Sequence, residues 1–142
     1  MQFRASTTIK AAPEVIWAIL TDAPRYPEWD PGVDRIEGQI APGAQVTAYT
    51  KLSPGRAFPA KVTEFVPGRK MVWSGGMPLG LFRGVRTFTL TPQADGTTAF
   101  ELREAFSGPL LGLIGRSIPN MTSAFEQFAA GLKRRAEAAS AG

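Results

Sequence analysis

Residues 82–107 read FRGVRTFTLTPQADGTTAFELREAFS, and the pattern of this stretch decides the fold. Apolar residues on either side of its centre alternate with polar ones, which is typical of two β-strands that each bury one face. Asp95-Gly96 between them is a strong signal for the tight turn of an antiparallel hairpin. We therefore predict strands near 82–92 and 97–107.

The apolar face of this hairpin also carries a pair of charged residues. Alternation places Arg86 and Glu104 on the same side as the phenylalanines. A turn around Ala94-Asp95 would put Leu102 opposite Arg86 and Glu104 diagonally from it, within reach of a long side chain. The other face suits water and carries Arg83, Thr87, Thr89, Glu101 and Arg103.

Five more segments have the composition of strands, and short turns separate most of them. They lie near 2–10, 33–38, 44–52, 59–66 and 70–75. The connections contain Pro42-Gly43, Pro54-Gly55, Pro67-Gly68 and Gly75-Gly76. Strands that follow one another through tight turns form an antiparallel sheet, and its apolar face must be covered.

Helical patterns are confined to two parts of the chain. Pro13 suits the first turn of a short helix that continues into the apolar run 15–20, and prolines at 24, 27 and 31 allow only short helical turns after it. From about 120 to 139 an apolar stripe with helical spacing consists of Met121, Phe125, Phe128 and Leu132. This long helix is the natural cover for the sheet, and residues 1–142 form one domain.

Composition removes several classes of chemistry. The 142 residues include no cysteine and no histidine, which excludes disulfides, thiolate nucleophiles, Ser-His-Asp triads and Cys/His zinc sites. The aspartates at 22, 30 and 34 are too scattered for a metal site, and Gly75-Gly76 does not continue into a phosphate-binding loop. We therefore expect neither a metal nor a cofactor.

The net charge of +4 does not indicate a nucleic-acid partner. The one basic cluster, Lys133-Arg134-Arg135, lies near the end of the predicted long helix, where cations complement the helix dipole. No apolar stretch is long enough for a transmembrane segment. The beginning of the chain lacks the apolar core of a secretory signal, so we expect a cytoplasmic location.

Three motifs, in this order, resemble one superfamily. They are APEVIWAILTD at 12–22 with RYPEWDP at 25–31, VTEFVPGRKMVW at 62–73, and FTLTP at 88–92 with DGT at 95–97 and EAFSG at 104–108. The sequence is similar to the START/Bet v 1-like superfamily, in particular its polyketide cyclase/dehydrase and lipid transport branch. The resemblance implies an α+β helix-grip fold, in which a curved seven-stranded antiparallel sheet surrounds the long C-terminal helix and an apolar cavity.

The inner faces of the predicted strands and helix supply the candidate ligand-binding residues. Aromatic and aliphatic side chains that converge between sheet and helix are typical of pockets for small apolar molecules, although the same side chains can close-pack as a core. The candidate wall consists of Trp17, Trp73, Phe88, Leu90, Phe100, Leu102, Phe106, Met121, Phe125 and Phe128, with Arg86 and Glu104 as its polar members.

Three functions fit these observations. The leading hypothesis is the binding or transport of a small hydrophobic ligand, with Arg86 and Glu104 as a structural ion pair or as contacts to the polar group of the ligand. A cyclase- or dehydratase-like enzyme would use Arg86, Glu104 or Tyr49 for proton transfer. The third hypothesis is an interaction module, because the loops 53–59 and 76–82 expose apolar residues that could contact a membrane or a protein.

Overall fold

Seven β-strands form one curved antiparallel sheet in the computed structural model, which describes residues 1–141. The order across the sheet is β1-β7-β6-β5-β4-β3-β2, so the first strand lies beside the last. The strands are β1 (Gln2–Ile9), β2 (Val33–Glu37), β3 (Gln45–Thr50), β4 (Ala57–Val66), β5 (Lys70–Gly76), β6 (Arg83–Pro92) and β7 (Thr98–Ser107).

Within residues 1–141, the three longest helices lie in the two regions where the sequence predicts helical structure, and three short ones of three or four residues lie outside them. Helix α1 (Pro13–Leu20) and a 3-10 helix (Ala23–Glu28) follow β1, and the prolines at 24 and 27 explain why the second is not an α-helix. After β7 come α2 (Leu111–Ile114), a 3-10 turn (Gly115–Ser117) and α3 (Thr122–Ala141). A further 3-10 turn, Pro78–Gly80, precedes β6. Within residues 1–141 no helix combines the length and the apolar character that a membrane crossing needs.

The predicted α+β helix-grip architecture is confirmed, and the predicted limits of the strands and of the long helix lie within two residues of the observed ones. Helix α3 crosses the concave face of the sheet and buries Phe125, Phe128 and Leu132 against it. Its other flank approaches the segment after the first 3-10 helix so closely that a Cβ added at Gly131 would lie 1.8 Å from the Trp29 carbonyl oxygen. Only glycine permits this approach.

The predicted register of the last hairpin is wrong: each residue of β6 pairs with a residue two positions further along β7 than predicted. Phe88 pairs with Leu102, not Phe100, and Arg86 lies directly opposite Glu104 instead of Leu102. The connection spans residues 93–97 and is centred on Asp95, whose carboxylate accepts hydrogen bonds from the backbone N–H and the hydroxyl of Thr97. Moving the centre by one residue moves every cross-strand partner by two.

One residue of the predicted water-facing surface is buried. Thr87 lies on the convex face between its cross-strand neighbours Val72 and Arg103, and little of its surface remains accessible. Val72 and Arg103 flank it on either side and cover it.

Candidate functional site

The concave face of the sheet divides into two parts that differ in how completely helix α3 covers them. In the first part, which we call the closed half, the inward side chains are fully buried: Met71, Phe88, Leu90, Phe100 and Leu102. In the second part, the open half, the inward residues remain partly accessible: Ala48, Ala60, Gly84, Arg86 and Glu104. The open half lies towards the ends of the strands where β6 begins and β7 ends.

The closed half is packed solid. The Phe128 ring from α3 lies 6.0 Å from the rings of both Phe88 and Phe100, and 4.8 Å from that of Trp29. Side chains with almost no accessible surface have no water-sized space beside them. The aromatic residues here therefore act as a core.

The open half contains the charged pair. Arg86 Nε donates a hydrogen bond to Glu104 Oε1 at 2.7 Å, and the Arg86 guanidinium lies 5.1 Å from the centre of the Phe125 ring. The side chains are 24% and 13% exposed, respectively, so the pair is largely but not completely shielded from water. A partly desolvated, charge-assisted bond of this length fixes the guanidinium in place. Because Nε makes the bond, the four N–H groups of the two terminal nitrogens remain in addition to it.

Trp73 lies beside this pair in the sheet and has an unpartnered hydrogen-bond donor. It occupies the position on β5 directly opposite Arg86, and its side chain is buried against Phe88, with ring centres 4.9 Å apart. The indole Nε1 of Trp73 is buried without a hydrogen-bond partner, as is that of Trp29. A buried N–H without an acceptor is costly, so these two donors need an explanation.

Two further ionisable groups lie within the electrostatic reach of Arg86. Burial raises the pKa of Asp30, and the Gly32 backbone N–H, which donates to Oδ1 at 3.0 Å, and the charges of Arg86 and Lys51 oppose that rise. Burial also raises the pKa of Tyr26 far above its usual value, so its hydroxyl stays neutral and donates to the Leu20 carbonyl. Arg86 therefore lies near two carboxyl groups, those of Glu104 and Asp30, which offset its positive charge.

The predicted site residues fall into separate groups in the structure. Arg86, Glu104, Trp73 and Phe125 come together, and Phe106 lies beside them with its ring within 3.0 Å of the position a Cβ of Gly84 would take. Phe88, Leu90, Phe100, Leu102 and Phe128 form the closed half. Trp17 packs against Phe65, with ring centres 5.1 Å apart. Met121 is partly buried at the start of α3.

The candidate wall predicted from the sequence omits three residues that lie near the pair or near Phe106 beside it. Asp30 is buried in a proline-rich segment that has no strand or helix period, so its direction could not be predicted. Phe3 and Phe82 flank Phe106, with ring centres 6.3 Å and 5.7 Å away. The alternation of β1 does assign Phe3 to the inner face, and this signal could have found it.

Two surface grooves stand out in the described part of the chain. One, of about 350 Å³, runs between the first 3-10 helix and α3 and is lined by Pro27, Glu28, Trp29, Pro31, Gly131, Arg134 and Arg135. The other, of about 510 Å³, lies among threonines of β1, β6 and β7 and includes Phe100. Neither is lined by Arg86 or Glu104, so an enclosed cavity beside that pair stays a prediction.

Comparison with known proteins gives one family match. A family model described as polyketide cyclase / dehydrase and lipid transport matches residues 1–137. A search of curated proteins found no match.

Solved structures share the fold at low sequence identity. A protein from Thermus thermophilus is 21% identical with a TM-score of 0.72, and 99% of each chain is covered. A START superfamily protein from Mycobacterium smegmatis is 16% identical with a TM-score of 0.69, covering 97% of this chain and 98% of that one. The di-domain ARO/CYC protein BexL of the BE-7585A biosynthetic pathway is 12% identical with a TM-score of 0.70; all of this chain matches 48% of BexL.

Proposed function

This chain belongs to the polyketide cyclase/dehydrase and lipid transport family, and from that premise we propose that it binds a small, mostly apolar molecule in the open half of its concave face. Arg86 and the Trp73 indole N–H would contact an oxygen of that molecule. Arg86 carries the proposal, because its side chain is 24% exposed and its terminal N–H groups remain in addition to the bond with Glu104. Trp73, on the strand position opposite, has a buried N–H without a partner in the protein, which a ligand would reach by displacing the side chains that cover it. An acceptor oxygen from a ligand would supply the missing bond.

The chemistry of the surroundings narrows the class of ligand. Glu104 is bonded to Arg86, and Asp30 lies near it, so the site holds little net positive charge. A full anion would gain little from such a balanced cluster, whereas a neutral carbonyl or hydroxyl oxygen needs only hydrogen-bond donors. Phe125 and Phe106, which are buried beside the pair, make the surroundings of Arg86 apolar and aromatic, as a ligand with an apolar body requires. We therefore propose a ketone or an alcohol on an apolar, ring-containing body.

Binding is preferred here over a cyclase-like reaction. An acid–base mechanism needs a group that is free to give or take a proton at the substrate. Glu104 is the carboxyl group nearest to the proposed ligand, and one of its oxygens already accepts the Arg86 Nε–H. The geometry supports an anchor more directly than a proton shuttle.

Three probes with the same aromatic body test the proposal: 2-acetylnaphthalene, naphthalene-2-carboxylate and 2-ethylnaphthalene. Isothermal titration should give the tightest binding for the ketone, by about 3- to 10-fold over the ethyl compound, which is the range of one net hydrogen bond. The carboxylate should not exceed the ketone.

An Arg86→Met variant should remove the advantage of the ketone, whereas Arg103→Met, on the water-exposed face of β7, should preserve it. Circular dichroism confirms that both variants are folded. Equal affinities for the ketone and the ethyl compound in the wild-type chain would rule out the polar anchor.

A further inference from the structure

The exposed apolar side chains of this chain are concentrated at one end of the sheet. Among residues 1–141, eight large hydrophobic residues are exposed, and seven of them lie at the end where β1, β4 and β6 begin: Met1, Leu52, Phe58, Met77, Leu79, Leu81 and Leu113. The eighth, Val66, lies at the opposite end, between β4 and β5. Scattered exposed hydrophobics are ordinary, but a concentration at one end indicates a contact surface.

Two loops form the centre of this surface, which we call the apolar rim. The loop before β6 and the segment after β7 are joined by a hydrogen bond from the Leu110 N–H to the Leu81 carbonyl at 3.0 Å. Leu79 is 96% exposed and Leu113 is 77% exposed. Leu79 also has a positive φ of 60°, which is unusual for leucine, and it lies at the tip of its loop. Each leucine projects from the surface instead of packing against its neighbours.

The loops that contain most of the rim carry charges of one sign. The three connections that contain most of the rim, residues 51–56, 77–82 and 108–121, include Lys51, Arg56 and Arg116 and no aspartate or glutamate. Arg83, the first residue of β6, is exposed next to the same loop. A surface of projecting leucines bordered by cations complements an apolar layer that has negative charge at its boundary.

We propose that the apolar rim docks on the surface of an anionic lipid bilayer, with Leu79 and Leu113 inserted and Arg83 and Arg116 at the level of the headgroups. A bilayer accepts isolated projecting side chains without a matching shape, whereas a protein partner or a second copy would need complementary packing over a continuous area. The inference does not depend on the proposed ligand, although the open half of the concave face lies at this same end of the sheet.

Co-sedimentation of the full chain with vesicles tests the docking. The chain should pellet with vesicles of equal parts phosphatidylcholine and phosphatidylglycerol, and should stay in solution with phosphatidylcholine alone. Raising the salt from about 0.1 M to about 1 M should weaken the pelleting, because the Debye length falls from about 10 Å to about 3 Å. Equal pelleting with both kinds of vesicle, or none with either, would overturn the proposal.

Matched variants locate the contact. Leu79→Asn with Leu113→Gln should reduce vesicle binding about tenfold or more, since asparagine tolerates a positive φ and the loop is preserved. Val66→Gln, at the opposite end, should have no effect. Arg83→Gln with Arg116→Gln should reduce binding to the anionic vesicles, and Arg134→Gln on α3 serves as the charge control. An equal loss in the control variants would contradict the assignment to the rim.

Two further measurements separate this proposal from its competitors. Sedimentation velocity without vesicles would reveal a dimer. If the Leu79→Asn, Leu113→Gln variant is monomeric where the wild-type chain is dimeric, and the wild-type chain does not bind vesicles, the rim contacts a second copy and the bilayer proposal is overturned. The same variant leaves Arg86 and Trp73 unchanged, so it should bind 2-acetylnaphthalene as the wild-type chain does. Failure of ligand binding and failure of docking are thus distinguishable.

Discussion

The closed and open halves of the concave face share strands β6 and β7, yet they differ in packing and in charge. On β6, Phe88 and Leu90 are fully buried, with the Phe88 ring against Phe128, whereas Arg86, two residues before Phe88, keeps about a quarter of its side chain exposed. In the closed half, large side chains fill the space between the sheet and α3. In the open half, small residues and a charged pair leave the inward face partly accessible. Stability should therefore depend mainly on the first half, and recognition on the second.

The largest effect should follow from making a cavity in the closed half. Phe88→Ala removes a ring that packs against Trp73 and Phe128, and should lower the free energy of unfolding by about 3–5 kcal/mol. Phe58→Ala, at a ring that is already 37% exposed, should cost less than about 1 kcal/mol. Urea denaturation of both variants measures the difference. Similar losses at the two positions would show that the closed half is packed no more tightly than the apolar rim.

A smaller loss of stability should follow from a substitution that pushes α3 away from the backbone of Trp29. Gly131→Ala places a methyl group against the Trp29 carbonyl, and overpacking of this kind costs about 1–3 kcal/mol, more than the helical preference of alanine returns. Gly112→Ala, in α2 with nothing within 4 Å of the added Cβ, should be neutral or slightly stabilising. Thermal unfolding measures both effects. A neutral Gly131→Ala would show that the contact between α3 and the Trp29 carbonyl has room for a methyl group.

In the open half, breaking the charged pair should lower the free energy of unfolding by less than Phe88→Ala does. Arg86→Met leaves Glu104 without its partner in a partly desolvated site, which should lower the free energy of unfolding by about 1–3 kcal/mol. Replacing Glu104 by leucine as well should recover part of that loss, because no unpaired charge remains. A double-mutant cycle measured in urea provides the test, and losses that simply add would show that the two side chains are not coupled.

The smallest effect should be the pH-dependent contribution of Asp30. Because burial raises its pKa in the folded state, the unfolded chain ionises first as the pH rises. The contribution of Asp30 to stability is therefore complete below its ordinary pKa and declines until the pH passes the raised value. Asp30→Asn, which retains an oxygen for the Gly32 N–H, should gain about 1 kcal/mol or less over the wild-type chain at pH 7 and nothing at pH 3. A loss at pH 7 alone would mean that attraction to Arg86 outweighs burial.

The sequence predicts the elements of this fold better than it predicts their pairing. Alternation in 82–107 and the turn pairs identify the strands, because strand periodicity is a local property. The partner of Arg86 depends on how five residues, 93–97, close the hairpin, and the Asp95–Thr97 bonds that decide this are absent from the alternation pattern. Local pattern is sufficient for the strand, and turn geometry is needed for the register.

The candidate site was predicted in part. Placing Arg86 and Glu104 on the inner face required only alternation, and the structure confirms that placement. Periodicity could not show which inward aromatics form a solid core, because Phe88 and Phe106 have the same position in the pattern and differ only in what α3 and the loops place above them. Asp30 and Trp29 lie in a segment with no period, so their burial emerges only from the tertiary structure.

A heteronuclear NMR titration examines the division between the halves most directly. The chain has three tryptophans, so a ¹⁵N-labelled sample should show three indole N–H signals. On addition of 2-acetylnaphthalene, we expect the Trp73 signal to move as its N–H gains an acceptor, while the Trp17 signal, which reports on the contact with Phe65, stays in place. A Trp73 signal that does not respond to saturating probe would contradict a ligand site in the open half.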